Sequence, residues 1–314
     1  MSAKHLCFRW AVDLRSFTPS LTQLTSACLL VQPEEKTRLI KFHFIDDFLS
    51  SLVGRLLMRK FVSETTNIKH NDIIFDRDVR GKPYLKNSKP DSPQISFNVS
   101  HHGSMVVLAG VVVNVHQQTT DDDSQQQNTP SLTTATTTDF GVGIDVMKIE
   151  YTGGKTLSEF FRIMTRNFSA SEWRYINRTH HTTEQAKLKA FIRNWCLKES
   201  FVKNIGVGIS IDLQKISFAI QSDDLDTDNI VTSTKLSIDD VPATMWLFEE
   251  HMLDKEHCVA IAFRNCIPSE EGEFKFFNFD ELLVGGVDKG APAMEECKEY
   301  CRNVLKKERK QIRS

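Results

Sequence analysis

The sequence predicts a mixed helix-and-strand protein built of two similar halves. Three observations point there. The order helix, strand, variable loop, strand, strand occurs twice along the 314 residues. A polar segment almost free of apolar residues separates the two occurrences. The balance of 40% hydrophobic and 25% charged residues is that of an ordinary globular chain, and the length suits about two domains. The repeat lies in the order of elements and hardly in residue identity, so it is a hint of internal duplication.

In the first half the chain reads as helical from Pro33. Glu34, Glu35 and Lys36 suit a first turn after a proline at the first helical position. Ile45, Phe48, Leu49, Leu52, Val53, Leu56 and Leu57 then recur at helical spacing along one apolar face. Arg38 sits near the start of this helix, and Arg55, Arg59 and Lys60 near its end. A short strand is expected around Ile73–Phe75, then a charged turn from Arg77 to Tyr84. Ile95–Val99 and Met105–Val113 read as strands around the polar break Ser100-His-His-Gly-Ser104. Residues 116–139 are mostly Thr, Gln, Ser and Asp, and cannot offset their ordering entropy by burial. A polar flexible insertion is expected there, its ends held close by strands Val106–Val113 and Phe140–Val146.

The second half repeats the order. A helix is expected over Glu184–Ile205, with Leu188, Phe191, Ile192, Trp195, Phe201 and Val202 as its apolar contacts and Gly206-Val-Gly208 as its end. A strand follows around Lys215–Ile220, then a strand pair, Met245–Glu250 and His257–Phe263. From Asp288 a charged helical stretch runs to Lys306-Lys-Glu-Arg-Lys310, which reads as a solvated helix end or a nuclear-targeting run. The expected divisions are an N-terminal subdomain over 1–139, a C-terminal subdomain over 140–266 and an extension over 267–314.

Composition excludes several classes. Lys plus Arg is 39 and Asp plus Glu is 41, so a net charge of −2 argues against a globally basic nucleic-acid binder. The longest nearly unbroken apolar run, Met105–Val113, is too short to span a bilayer, so no membrane partner is expected. The first seven residues carry no long apolar stretch of the secretory type. Seven cysteines form an odd, scattered set and read as reduced thiols of a cytosolic protein.

Three constellations carry chemistry. In Phe140-Gly-Val-Gly-Ile-Asp-Val146 an aspartate follows an apolar, glycine-containing strand. Asp145 can hold a metal ion over a sheet edge, and its oxygens suit Mg²⁺; capping a turn is the alternative. In Trp195-Cys-Leu-Lys-Glu-Ser-Phe-Val-Lys203, Trp195, Glu199 and Lys203 share one helical stripe. Apolar neighbours leave Glu199 little solvated surface, so it needs a partner, and a desolvated glutamate is a candidate general base. The third is cationic: Arg38, the Arg77–Lys82 turn and Ser100-His101 can converge on phosphates, with Gly81 allowing close approach. No Walker A or dinucleotide-binding fingerprint is present. If the two halves are duplicates, a site is expected in the cleft between them.

Asn98-Val-Ser-His101, Gly143-Ile-Asp-Val146 and Trp195-Cys-Leu-Lys-Glu-Ser-Phe-Val-Lys203 together resemble the 4′-phosphopantetheinyl transferases of the surfactin-synthetase-activating (Sfp) type, in order and approximate spacing. Gln32-Pro-Glu-Glu-Lys, Gly54-Arg-Leu-Leu-Met-Arg-Lys and Arg80-Gly-Lys-Pro resemble the animal branch of that family. The resemblance covers roughly Phe8 to Arg264 outside the 116–139 segment. It implies a pseudo-twofold α+β monomer, each subdomain pairing a long helix with a small, mainly antiparallel sheet, and coenzyme A in the cleft. It implies Mg²⁺ held by Asp145 and Glu199. Arg38, Arg77, Arg80, Gly81, Lys82, Asn98, Ser100, His101, Lys198 and Lys203 match the coenzyme-binding positions, and Asp145, Glu199 and Lys203 the catalytic ones. The implied reaction moves 4′-phosphopantetheine to a serine of acyl or peptidyl carrier domains, such as those of fatty acid synthase and aminoadipate-semialdehyde dehydrogenase-like enzymes. Met147 stands where many members carry a third acidic ligand, and a thioether is a poor Mg²⁺ ligand. A coenzyme A-binding module without transfer, and a Mg²⁺-dependent nucleotide phosphohydrolase, are the alternatives.

Overall fold

The computed structural model describes residues 5–89, 92–113, 140–178, 182–206, 211–222, 224–268, 272–283 and 290–310. The expected insertion over 116–139 lies outside the described residues, as do Val207 and Gly208 at the expected end of the second long helix.

The fold is α+β. One sheet has strand order β12-β1-β5-β4, built from β1 (His5–Asp13), β4 (Gln94–His102), β5 (Met105–Val113) and β12 (Lys275–Phe276). A second has order β10-β11-β6, from β6 (Gly141–Lys148), β10 (Trp246–Met252) and β11 (His257–Arg264). Every pairing in both is antiparallel except β1 with β12. Two small ribbons complete the strands: β2 (Phe75–Arg77) with β3 (Pro83–Leu85), and β7 (Ile216–Ala219) with β8 (Lys235–Ile238) and β9 (Val241–Pro242).

Alternation along the strands explains how the layers pack. Val106, Leu108 and Val112 of β5 face the first core, under helix α3 (Ile45–Thr66). Met105, Val107, Ala109 and Val111 face the other way, onto Val142, Ile144 and Val146 of β6 and Val259, Ile261 and Phe263 of β11. β5 is thus apolar throughout because both its faces are buried. After the short helices α4 (Leu157–Ile163) and α5 (Ala170–Ile176) the chain forms helix α6 (Glu184–Ile205), to which the opposite face of β11 presents Cys258, Ala260 and Ala262. These small residues, with Gly143, let α6 approach closely. A Cβ at Gly143 would stand 2.1 Å from the Ser200 carbonyl oxygen.

The two sheets are also sewn edge to edge. Ser96 Oγ, Asn98 Oδ1, Ser100 Oγ and His102 Nδ1 of β4 accept from the backbone N–H groups of Val142, Ile144, Val146 and Lys148 of β6. A constant offset of 46 residues runs through all four bonds. Polar side chains here substitute for the backbone carbonyls of a regular ladder, and satisfy an edge strand without merging the sheets.

Several expectations are corrected. The helix from Pro33 is two: α2 (Pro33–Leu39) and α3, parted by tight turns at Ile40–Phe42, with Asp46 and Asp47 in the first turn of α3. The polar break after Val99 shrinks to Gly103-Ser104, because Ser100, His101 and His102 belong to β4 and are held by β6. β1 and helix α1 (Leu21–Leu30) had no counterpart in the sequence reading. The charged tail contains α7 (Ala291–Leu305), whose Cys297, Cys301 and Val304 are buried in the first core. Among the described residues no helix is long and apolar enough to cross a membrane.

Candidate active site

Asp145 lies on β6, on the side that faces α6, and is almost wholly buried. Its Oδ1 accepts from Ser100 Oγ at 2.8 Å and from Lys203 Nζ at 2.6 Å. Lys203 Nζ also donates to Ser100 Oγ at 2.8 Å, closing a three-membered cluster across the seam of the halves. Asp145 Oδ2 has no hydrogen-bond partner among the described residues. A buried carboxylate oxygen left so is costly unless a further group meets it. The strand is braced from behind, where Cys196 Sγ donates to the Asp145 carbonyl at 3.0 Å.

Glu199 stands one helical turn before Lys203 and is half-buried. Burial pushes its carboxyl above the ordinary glutamate range, and the Asp145 charge pushes it further, against the Lys203 ammonium. The two carboxylates are thus near enough for each to bear on the other's charge. Among the described residues no three His, Cys, Asp or Glu side chains gather as a metal-ligand set. The orphan Oδ2 of Asp145 beside Glu199 nevertheless suits one hard cation that takes its remaining ligands from water and phosphate. Met147, two residues further on β6, is half-buried and packs against the C-terminal core.

The cationic turn reaches this cluster from the other half. Asp78 Oδ1 accepts from the N–H groups of Arg80 and Lys82, and the Gly81 N–H donates to the Asp78 carbonyl. Gly81 has φ +89°, which explains a glycine at that point. Arg77 donates to the Gly81 carbonyl, and Lys82 Nζ reaches across to the Asn204 carbonyl at 3.0 Å, at the end of α6. Arg38 is exposed on α2. Burial lowers the Arg77 pKa, and the neighbouring Arg38 lowers it further. Arg55 and Arg59 lie beneath, both held by the single carboxylate of Glu35. Arg55 and Arg59 thus pair with Glu35, while Arg38 and Arg77 make no ion pair among the described residues, a local concentration of positive charge that suits an anion. His101 is exposed at the surface yet closely surrounded; that crowding and then the Lys203 ammonium lower its pKa.

Two predicted coenzyme residues stand elsewhere. Lys198 is buried on another face of α6, where its Nζ meets the Leu213 and Ile216 carbonyls at 2.7 and 2.6 Å and Glu172 at 2.9 Å. Its ammonium is occupied there, away from the Asp145 cluster. Asn98 is buried and spends its side-chain oxygen on the Ile144 N–H, so it holds the seam. Sequence reasoning missed Asp78 as organiser of the turn and Cys196 as brace of Asp145. An Asp two residues before an Arg-Gly step was the available signal for the former; none marked the latter.

The order of these features along the chain is that of a known family. A model of the N-terminal part of 4′-phosphopantetheinyl transferases matches residues 15–113, and one of the 4′-phosphopantetheinyl transferase superfamily matches residues 141–262. The chain belongs to the 4′-phosphopantetheinyl transferase family. It is a transferase, with the family's activity of moving 4′-phosphopantetheine from coenzyme A to a carrier. An L-aminoadipate-semialdehyde dehydrogenase-phosphopantetheinyl transferase of Xenopus laevis is 34% identical over 96% of this chain and 92% of its own length. The Homo sapiens protein of that name is 35% identical, over 89% of this chain and 86% of its own. A phosphopantetheinyl transferase of a Thraustochytrium species is 32% identical, over 81% and 77%.

Proposed function

We propose that this protein converts apo carrier domains to their holo form in a Mg²⁺-dependent reaction at the junction of the two subdomains, 1–139 and 140–266. The carriers are those of fatty acid synthase and of aminoadipate-semialdehyde dehydrogenase-like enzymes, and the protein acts as a cytosolic monomer. One observation carries the reading: the Asp145–Ser100–Lys203 cluster, with Glu199 beside it, lies where the cationic turn of the other half ends. Asp145 and Glu199 would hold Mg²⁺, which when bound neutralises charge on the pyrophosphate.

The carrier serine oxygen attacks the phosphorus that bears the pantetheine arm. The new P–O bond forms as the bond to adenosine 3′,5′-bisphosphate breaks. Glu199 takes the serine proton. Lys203 would contact the pyrophosphate, and Arg38, Arg77, Arg80, Lys82, the Gly81 backbone, Ser100 and His101 would hold the phosphates of the nucleotide end. Positioning and charge stabilisation supply most of the rate.

Intact-mass spectrometry of an apo carrier with coenzyme A and Mg²⁺ tests the proposal. A phosphopantetheine adduct is expected that EDTA abolishes and that Glu199→Gln slows by about 10²-fold or more. Bound coenzyme A without adduct on several apo carriers would overturn it.

A further inference from the structure

The C-terminal extension lies beyond both stretches matched by the family, yet it is built into the wall of the phosphate corner. Tyr300 Oη of α7 donates to the Lys36 carbonyl at 2.9 Å. Lys307 Nζ donates to the Ile40 carbonyl at 3.0 Å and the Phe42 carbonyl at 2.5 Å. Those three carbonyls end α2 and the turn after it, and α2 carries Arg38 and Glu35. The chain then runs across the start of α3. The Ile45 N–H donates to the Glu308 carbonyl, Arg309 pairs with Asp46 at 2.9 Å and Lys310 with Asp47 at 2.5 Å. Asp47 and Lys310 are also among the charges that bear on His101.

We propose that Tyr300 and Lys307 are positioning residues for the coenzyme A phosphates, an inference that rests on the function proposed above. A seven-residue helix such as α2 makes too few intrahelical bonds to hold its own orientation, although backbone N–H groups of the following turn close its last carbonyls. Here a tyrosine hydroxyl gives the Lys36 carbonyl a second donor beside the Ile40 N–H, and an ammonium binds the Ile40 and Phe42 carbonyls of the turn just past the helix. The ammonium also sits favourably at the negative end of the helix dipole. α2 is thereby fixed relative to α3, and Arg38 relative to Arg77. The basic run is solvent-exposed at Lys306, Arg309 and Lys310, yet Lys307, Arg309 and Lys310 are each engaged by the first half.

Steady-state kinetics of the full chain, with coenzyme A and an apo carrier varied separately, tests this. Lys307→Met with Tyr300→Phe is expected to raise KM for coenzyme A about tenfold, with kcat and the carrier KM within about twofold. The inhibition constant of adenosine 3′,5′-bisphosphate, which lacks the pantetheine arm, should rise in parallel. Lys307→Arg should restore most of the loss. If Lys307→Met does not fold, Tyr300→Phe and Lys307→Arg carry the test. An unchanged coenzyme A KM in a folded Tyr300→Phe protein, or a fall in kcat alone, overturns the inference. A wild-type protein that makes no adduct would instead sink the proposed function, so the two failures are distinct.

Discussion

Helix α6 holds two lysine–carboxylate pairs only five residues apart, and they differ in what they leave unsatisfied. Lys198 meets Glu172 at 2.9 Å with both side chains at or below 1% exposure. Two backbone carbonyls complete the ammonium, and the Ser169 and Phe218 N–H groups donate to the carboxylate. Burial pushes both members towards neutrality, lowering Lys198 and raising Glu172, and their attraction opposes it. Lys203 meets Asp145 at 2.6 Å, but the lysine is 28% exposed and one oxygen of Asp145 has no partner among the described residues. The closed pair is a fastener for the loop before β7. The open pair keeps capacity for a ligand, which is what a site requires.

The comparison breaks most visibly at Lys198. Lys198→Met strands the Glu172 carboxylate and two carbonyls in the core. A loss of about 3–5 kcal/mol of stability is expected, as for other broken buried pairs, while the folded fraction keeps its KM for coenzyme A. Urea unfolding and kinetics on one preparation check both halves of the statement. A stable Lys198→Met enzyme with a raised KM would mean that Lys198 contacts coenzyme A after all.

Asp145→Asn should do the reverse. Losing one charged group at a site of developing charge costs about 10²–10³-fold in rate. The neutral amide can still accept from Ser100, so the unfolding midpoint should move little. Equal losses of stability and rate would make Asp145 chiefly a packing residue.

Helical arithmetic separates the two lysines. Five residues turn the helix by roughly 500°, so Lys198 and Lys203 stand about 140° apart and cannot serve one ligand. That much was legible in the motif. So was α6 itself, which matches the expected span because an amphipathic run of this length is set locally, with Thr183 and Gly206 as its caps. What was not legible depends on distant residues. β1 carries Arg9, a poor core residue until Glu249 is brought to 2.6 Å from the other half. Ser100 and His102 read as a polar break because the N–H groups they satisfy belong to a strand 46 residues on. The start of α7 follows Gly290, but its burial depends on Thr25 and Cys28 of α1, contacts that no local pattern encodes.

Gly143 sharpens the contrast, since it touches only the open pair's side of α6. An added Cβ would meet backbone atoms, the Ser200 oxygen at 2.1 Å and the Asn204 nitrogen at 2.5 Å, so the helix must lift off β6. Gly143→Ala is expected to cost about 2 kcal/mol of stability through overpacking. It should also lower turnover by more than that stability loss explains, because Glu199 and Lys203 move with the helix. Retained turnover in a folded Gly143→Ala protein would show that the close approach is structural only.

The smallest expected effect lies at the outer end of the seam. His102 accepts the Lys148 N–H at Nδ1, a bond that only the neutral ring can make. Burial lowers its pKa below the ordinary histidine value, with Glu150 and Asp145 opposing and His257 and Lys310 adding to the fall. A group whose folded pKa is depressed binds protons more readily when unfolded. Its contribution is therefore present above the unfolded pKa, about 6.5, and is lost as pH falls through that value towards the folded one. His70 and His251, both held at about 4 first by burial, add to the same acid sensitivity but stand away from the seam. His102→Ala should thus cost about 1 kcal/mol at neutral pH, the worth of one hydrogen bond, and less at pH 5. Chemical unfolding at the two pH values reads the difference directly. If the His102→Ala penalty is as large at pH 5 as at pH 7.5, the ring holds the seam by packing, and the polar edge that frames Asp145 does not depend on its charge state.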